Sequence, residues 1–306
     1  MEMRLFRIDH WVMGCMVGFF FGCSGVSYSH DSPNDVIDAL SHRIETDSAS
    51  VRLLVSRAYE FRAYGDLDAA ESDLVAALTM DASDVAACVA LGQLYVFRNR
   101  YDDALGIVNA GMRHGSSIED RSGLHGLAAE AHLGKGSWKA GLLEIDQALN
   151  GSPGELEWSL VKSRILSELG LYGERLEFLR NASGRNGSIV LQIELVGALR
   201  DVRRFDESIR MIEGYIEKRR WKADWYLRRA EVFVLMKDFG LACADAERAL
   251  DEIDVRMEMH GVDDELLKVR ARAIGILEGA GVGVVVGDGV EESEEVAGSL
   301  LIMSVE

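Results

Sequence analysis

The sequence predicts an all-α protein whose helices wind into an α-α superhelix, a solenoid of about six helical hairpins with a capping helix at each end. Three observations lead there. A pattern of small and large apolar residues recurs at a period near 34 residues, which marks stacked helical pairs. The bulky residues after each bend, Leu67, Tyr101, Trp138, Tyr172, Phe205 and Phe239, stand 34, 37, 34, 33 and 34 positions apart. Of 306 residues, 48% are hydrophobic and only two are proline, a composition that favours helix throughout.

The pattern is clearest in Val51–Asp84, VRLLVSRAYEFRAYGDLDAAESDLVAALTMDASD, where Gly65-Asp66 splits two amphipathic stretches. Antiparallel helices approach closely only where side chains are small, so Ala58 on the first is expected to meet Ala70 and Ala77 on the second. Leu54, Phe61, Leu67, Leu74 and Leu78 supply bulk around that contact. One period later Gly92, Ala104 and Gly111 are small, while Leu91, Tyr95, Tyr101 and Val108 are large. A lone hairpin cannot bury both faces, so neighbours must stack. These segments resemble tetratricopeptide repeats. The G-D-L-D-A-A turn and the A-L-x-M-D-A ending match that family, with Ala82 where a proline is usual. The resemblance implies a superhelix whose first helices line a concave groove.

Taken in order, the chain opens with a leader, 1–29. Arg4 and Arg7 precede the apolar run Trp11–Gly22, which at 12 residues is too short to span a bilayer as a helix and suits a secretory signal. Phe20-Phe21-Gly22-Cys23 resembles a bacterial lipobox, which would make Cys23 a lipid attachment point and tether the protein to a membrane. Phe20 and Phe21 depart from that motif, and Ser27-Tyr28-Ser29 offers a second cleavage site; an uncleaved apolar arm is the third reading. Residues 34–50 read as the second half of a repeat, with Val36, Leu40 and Ile44 on its stripe and Ser32-Pro33-Asn34 as start signals.

Repeats are expected over 51–256, as Val51–Asp84, Val85–Ile118, Ser122–Glu155, Leu156–Ile189, Val190–Lys222 and Ala223–Arg256. The one long step, 37 residues, is assigned to Glu119-Asp120-Arg121 inserted in a connecting loop. The fourth unit is degenerate, since Ser163 and Arg175 replace small apolar residues; the fifth carries Val196 and Ser208. A closing amphipathic helix is expected at 263–278, and 279–306 changes composition abruptly and reads as a flexible tail.

The net charge is −18. The leader's first 23 residues hold two basic and two acidic side chains (Arg4, Arg7, Glu2, Asp9), so removing them leaves that balance unchanged. So acidic a chain repels phosphate backbones, which excludes non-specific nucleic-acid binding. Beyond the leader only Cys88 and Cys243 remain, several repeats apart, and they read as buried small hydrophobes rather than a disulfide.

No catalytic constellation emerges, and no cofactor or metal is implied. His125 and His132 are two turns apart on one helix face, with Glu130 between them, but they occupy the large-residue positions of Cys88 and Tyr95. A metal-binding or enzymatic role for them is the weaker alternative, because no H-E-x-x-H spacing exists. The Gly279–Gly283 run lacks the strand–turn–helix setting and the third glycine of a nucleotide loop.

Functional residues are therefore sought on the inner wall: Arg52, Val55, Tyr59, Arg62, Val89, Gln93, Phe97, Glu130, Arg164, Arg200 and Glu231. Tyr59, Arg62 and Phe97 form an aromatic and basic patch, and such residues are enriched among interface anchors. The Lys and Asn set with which some tetratricopeptide domains clamp a terminal carboxylate is absent, since Val55, Tyr59 and Ala90 stand in those places. The expected role is a non-enzymatic scaffold that binds a protein or peptide segment in its groove, in the periplasm or anchored in the cell envelope. A cytoplasmic adaptor, with a leader that is not a signal, is the alternative location.

Overall fold

In the computed structural model, residues 33–46, 50–115 and 117–281 are described. The leader with Cys23 and the stretch 282–306 of the tail lie outside them. Fourteen helices follow one another: α1 Pro33–Thr46, α2 Val51–Tyr64, α3 Leu67–Met80, α4 Val85–Phe97, α5 Tyr101–Gly111, α6 Ile118–Gly134 and α7 Trp138–Gly151. Then come α8 Leu156–Glu168, α9 Tyr172–Asn186, α10 Ile189–Asp201, α11 Phe205–Lys218, α12 Ala223–Leu235, α13 Phe239–His260 and α14 Asp264–Gly279. No strand occurs among the described residues.

Six hairpins, α2–α3 through α12–α13, share one bend. Its pivot is Gly65, Asn99, Gly136, Gly170, Arg203 or Lys237, each left-handed with φ between 58 and 94°. The two N–H groups at each bend bond back to the helix in the same way: Gly65 N–H to the Arg62 carbonyl at 3.2 Å and Asp66 N–H to that of Phe61 at 2.8 Å, with the same pattern at the other five. This double bond satisfies carbonyls that a helix end leaves bare. Three pivots are not glycine, and each accepts a strain of roughly 1–2 kcal/mol to make it.

Packing follows the small residues. Ala58, Ala70 and Ala77 are 2%, 1% and 0% exposed, with Leu54 and Leu74 beside them. Tyr101, just past its bend, lies against Gly134 of the next hairpin, where any side chain would strike the ring. Cys88 is buried and Cys243 half-buried, both as free thiols.

Two sequence readings change. Glu119-Asp120-Arg121 is not a loop insertion but the first turn of α6, which reaches 17 residues. Ser117 starts that turn: its Oγ accepts from Asp120 N–H at 2.9 Å, and the Asp120 carboxylate accepts from Ser117 N–H at 3.3 Å. That capping box closes the extra turn onto the helix. Nor are Arg175 and Ser163 simply worn positions. Arg175, 9% exposed, donates to Ser163 Oγ at 3.0 Å, Glu194 at 2.7 Å and Asp201 at 2.5 Å, stitching α8, α9 and α10.

The first and last hairpins carry a matched internal lock. Arg57 donates twice to Asp73, at 2.7 and 2.7 Å, and Arg229 twice to Asp245, at 2.6 and 2.9 Å. The second and fifth hairpins hold Leu91 with Ile107 and Leu195 with Met211 at those positions. After the last lock α13 runs on to 22 residues, against 14 for α11. Its overhang is held where Glu252 accepts from Lys222 N–H at 2.8 Å and where Arg256 lies 5.6 Å from the Trp221 ring centre.

Candidate functional site: the inner wall

First helices lie side by side, α2 against α4, α4 against α6, α6 against α8 and α8 against α10, while second helices make no comparable contact with one another among the described residues. A stack whose first helices crowd and whose second helices spread curls toward the first, so these line the concave face. The residue six positions before each bend occupies one register of the first helices. Read in order, that row is Tyr59, Gln93, Glu130, Arg164, Gly197 and Glu231. Four of the sequence-predicted residues thus fall in register with Tyr59, and Arg62 and Arg200 share the next register, three before the bend.

The amino-terminal part of the wall holds its charges apart. The Arg62 guanidinium sits 5.4 Å from the centre of the Tyr59 ring and joins no carboxylate among the described residues. Burial raises the Tyr59 phenol pKa, opposed by Arg62. Glu130 has no hydrogen-bond partner among the described residues; burial, and then the charge of Glu157, push its carboxyl up to about 8. Glu157 itself is raised by burial and Glu155, with Arg62 pulling the other way. Gly126 permits the close approach of α8 to α6, since a side chain there would collide with the Trp158 indole. Arg52, Phe97 and Arg164 are exposed, and Val55, Val89 and Gln93 half-buried.

The carboxy-terminal part is self-satisfied. Glu231 accepts from Arg200 at 2.8 Å and from Arg272 at 2.8 Å, and Asp224 from Arg272 at 2.9 Å and Arg228 at 2.7 Å. Burial alone would raise the Asp224 carboxyl; Arg228 and Arg272 outweigh it and hold it below the usual range. Arg200 and Glu231, both expected in the groove, are thus each other's partners. Arg272 was not singled out from the sequence; its place on the closing helix, across from two acids of α12, carries no local signal.

His125 and His132 take separate environments beside an open cavity of about 430 Å³ between α5, α6 and α7. His125 Nδ1 meets Glu144 at 2.7 Å, whereas His132 Nδ1 is buried without a hydrogen-bond partner among the described residues. Among the described residues no three His, Cys, Asp or Glu side chains gather as a metal set. None of the helices among them is long and apolar enough to cross a membrane.

Residues 61–116 match the sequence family described as tetratricopeptide repeat. A solved tetratricopeptide repeat protein from Parabacteroides merdae superposes with a TM-score of 0.55 at 14% identity, over 79% of this chain and 93% of that one. A chain of the APC/C hetero-tetramer Cut9-Hcn1 gives 0.56 at 12% identity, over 79% of this chain and 46% of that one. Among curated protein sequences, none matches significantly. Identities this low speak for the fold alone. Residues 61–116 are tetratricopeptide repeat sequence, and the chain as a whole folds as a tetratricopeptide-type α-α superhelix.

Proposed function

We propose that the chain is a non-enzymatic interaction scaffold that holds a protein or peptide segment against its inner wall. The observation that carries this reading is the row Tyr59, Gln93, Glu130 and Arg164: four side chains in register on successive helices, none in an ion pair or hydrogen bond with another described residue. Side chains that spend nothing on each other are available to a ligand, and an aromatic and an arginine among them supply the contact area and directed donors of interface anchors. Reversing the charge at Arg62 and Arg164 together is expected to abolish recovery of a specific partner from native membranes while leaving the melting curve unchanged. Undiminished recovery would remove the groove from the function.

The second part of the proposal is place. Arg4, Arg7 and the apolar run Trp11–Gly22 support export, and Gly22-Cys23 supports a lipid tether in the cell envelope. Mass spectrometry of the mature amino terminus tests both: a diacylated Cys23 is the expected species, a start near Ser29 or after it removes the tether, and an intact Met1 removes export.

A further inference from the structure

We propose that the cavity between α5, α6 and α7 is a socket for a guanidinium group carried on a short apolar chain. It draws on other residues than the inner wall and stands apart from the groove reading above.

The first and sixth hairpins show what such a socket holds. Arg57 and Arg229 each stand eight positions before their bend and use the same donors in the same way. Nε and one terminal nitrogen grip the carboxylate of Asp73 or Asp245, eight positions past the bend. The other terminal nitrogen reaches the preceding helix, to Ser41 Oγ at 2.9 Å or Glu213 at 3.3 Å. Each arginine is thus clasped from the helix before it and the helix after it.

The third hairpin keeps the clasp without the arginine. Ala128 stands eight positions before the bend at Gly136, and Glu144 eight past it. On the preceding helix Asn109 is ten past its bend at Asn99, as Glu213 is ten past Arg203. Other hairpins fill this place, two with arginine, two with Leu91 and Ile107 or Leu195 and Met211. The fourth uses Lys162, whose ammonium lies 4.8 Å from the Phe178 ring centre. With alanine instead, about 430 Å³ stays open, and Ala128, Glu144 and Asn109 all line it. His125 Nδ1 takes one Glu144 oxygen at 2.7 Å. The other oxygen and the Asn109 amide make no hydrogen bond among the described residues. His132 marks the same place as more than core: it borders the cavity four positions before the bend, where Phe61, Tyr95, Leu166, Leu199 and Phe233 stand elsewhere.

The occupant's chemistry follows from those groups. A carboxylate only accepts, and an amide oxygen accepts beside it, so the seat calls for a positive group with several N–H donors. A guanidinium meets a carboxylate with two parallel bonds, the contact that both locked hairpins display. Leu105, Val108 and Met112 on α5 offer an apolar side for the stem. An anion would meet Glu144 with like charge. Arg121 borders the space too, on the extra first turn of α6, but it is exposed and its charge is screened at the mouth. The volume falls in the lower part of the range of small-molecule sites, about 300–1,000 Å³. The group can arrive as a free alkylguanidine or as the arginine side chain of a partner segment.

The test is an NMR titration of the purified chain in about 0.15 M salt, read at the Met112 methyl and the His125 ring, both of which line the cavity. n-Propylguanidinium, the arginine side chain as a free molecule, is expected to bind at least about tenfold more tightly than uncharged n-propylurea. Glu144→Gln should bring that preference below about twofold. Ala128→Arg, which supplies the group from the chain itself, should abolish binding and raise the melting temperature; should it not fold, Glu144→Gln still decides. An acetylated, amidated Gly-Arg-Gly peptide that moves the same signals at lower concentration assigns the site to a partner's arginine, and one that does not assigns it to a small ligand. Equal binding of guanidinium and urea overturns the proposal, and so does a preference that survives Glu144→Gln. Shifts spread over acidic helix faces that spare Met112 and His125 overturn it as well.

Discussion

The two halves of the inner wall use the same helical registers for opposite ends. Toward the amino end Tyr59, Gln93, Glu130 and Arg164 make no ion pair or hydrogen bond with another described residue. Toward the carboxyl end Arg200, Asp224, Arg228, Glu231 and Arg272 form one continuous ionic chain from α10 across α12 to α14. The fold does not force the difference, since both halves are built of the same hairpin on the same bend. Charge order does: along the carboxyl half, acids alternate with arginines from one helix to the next, whereas the charge that bears on Glu130 is the like charge of Glu157. Register thus decides which residues face the groove, and the identity of the cross-helix neighbour decides whether they remain free for a ligand.

The largest expected effect tests what the halves have in common. Asp73→Ala and Asp245→Ala each take the doubly bonded carboxylate from a shielded arginine, leaving Arg57 with Ser41 and Arg229 with Glu213 at 3.3 Å, and each should cost about 3 kcal/mol in denaturant unfolding. Similar losses would show that the halves are equally locked behind the wall; a large loss at one end alone would mean that the difference extends into the core.

Next in size is a pH effect confined to the open half. Because the folded state holds the Glu130 proton more tightly than the unfolded chain does, stability falls as pH rises from 4.5 to about 8 and then levels. Glu130→Gln removes that slope and should stabilise the protein at pH 9 by on the order of 2 kcal/mol, read from melts across pH. The paired half responds the other way. The depressed Asp224 carboxyl contributes stability above the ordinary carboxylate range and loses it as acid protonates it, so Asp224→Asn should flatten only the acid limb.

Glu231→Ala frees Arg200 and leaves Arg272 with Asp224 alone, and since these arginine side chains are 36% and 38% exposed, the cost should be about 1 kcal/mol and shrink in salt. The smallest effect belongs to Arg164→Glu. With no partner to lose, its unfolding free energy should stay within about 0.5 kcal/mol of the parent. A clear loss at Arg164 would show that the open row is structural after all.

How much of this was legible in the sequence differs between fold and site. The hairpins were, because the signal is steric and local: Ala58 with Ala70 and Ala77, a bulky residue after each bend, and a pivot at Gly65, Asn99 or Lys237 recur at nearly fixed distances. What the period could not supply was pairing across helices. Arg175 and Ser163 looked like erosion because their partners, Glu194 and Asp201, lie 19 and 26 residues away. That Glu157 on α8 bears on Glu130 on α6 depends on how the hairpins stack, and no stretch of ten residues records that. The misplacement of Glu119-Asp120-Arg121 had a local remedy, since Ser117 three residues before Asp120 is a start signal for a longer helix.

The overlong α13 settles how far such an array can grow. From Lys237 to Gly281, the positive-φ residue that follows α14, is 44 positions, with Gly261 also at positive φ between them, instead of the 33 to 37 between earlier pivots. Eight extra helical residues are about 12 Å of axial displacement, more than two turns. Any hairpin placed after α14 would begin out of step with those before it. Copies of an internal unit inserted upstream keep their phase and can lengthen the spiral, whereas copies added downstream meet a thread cut to a different pitch.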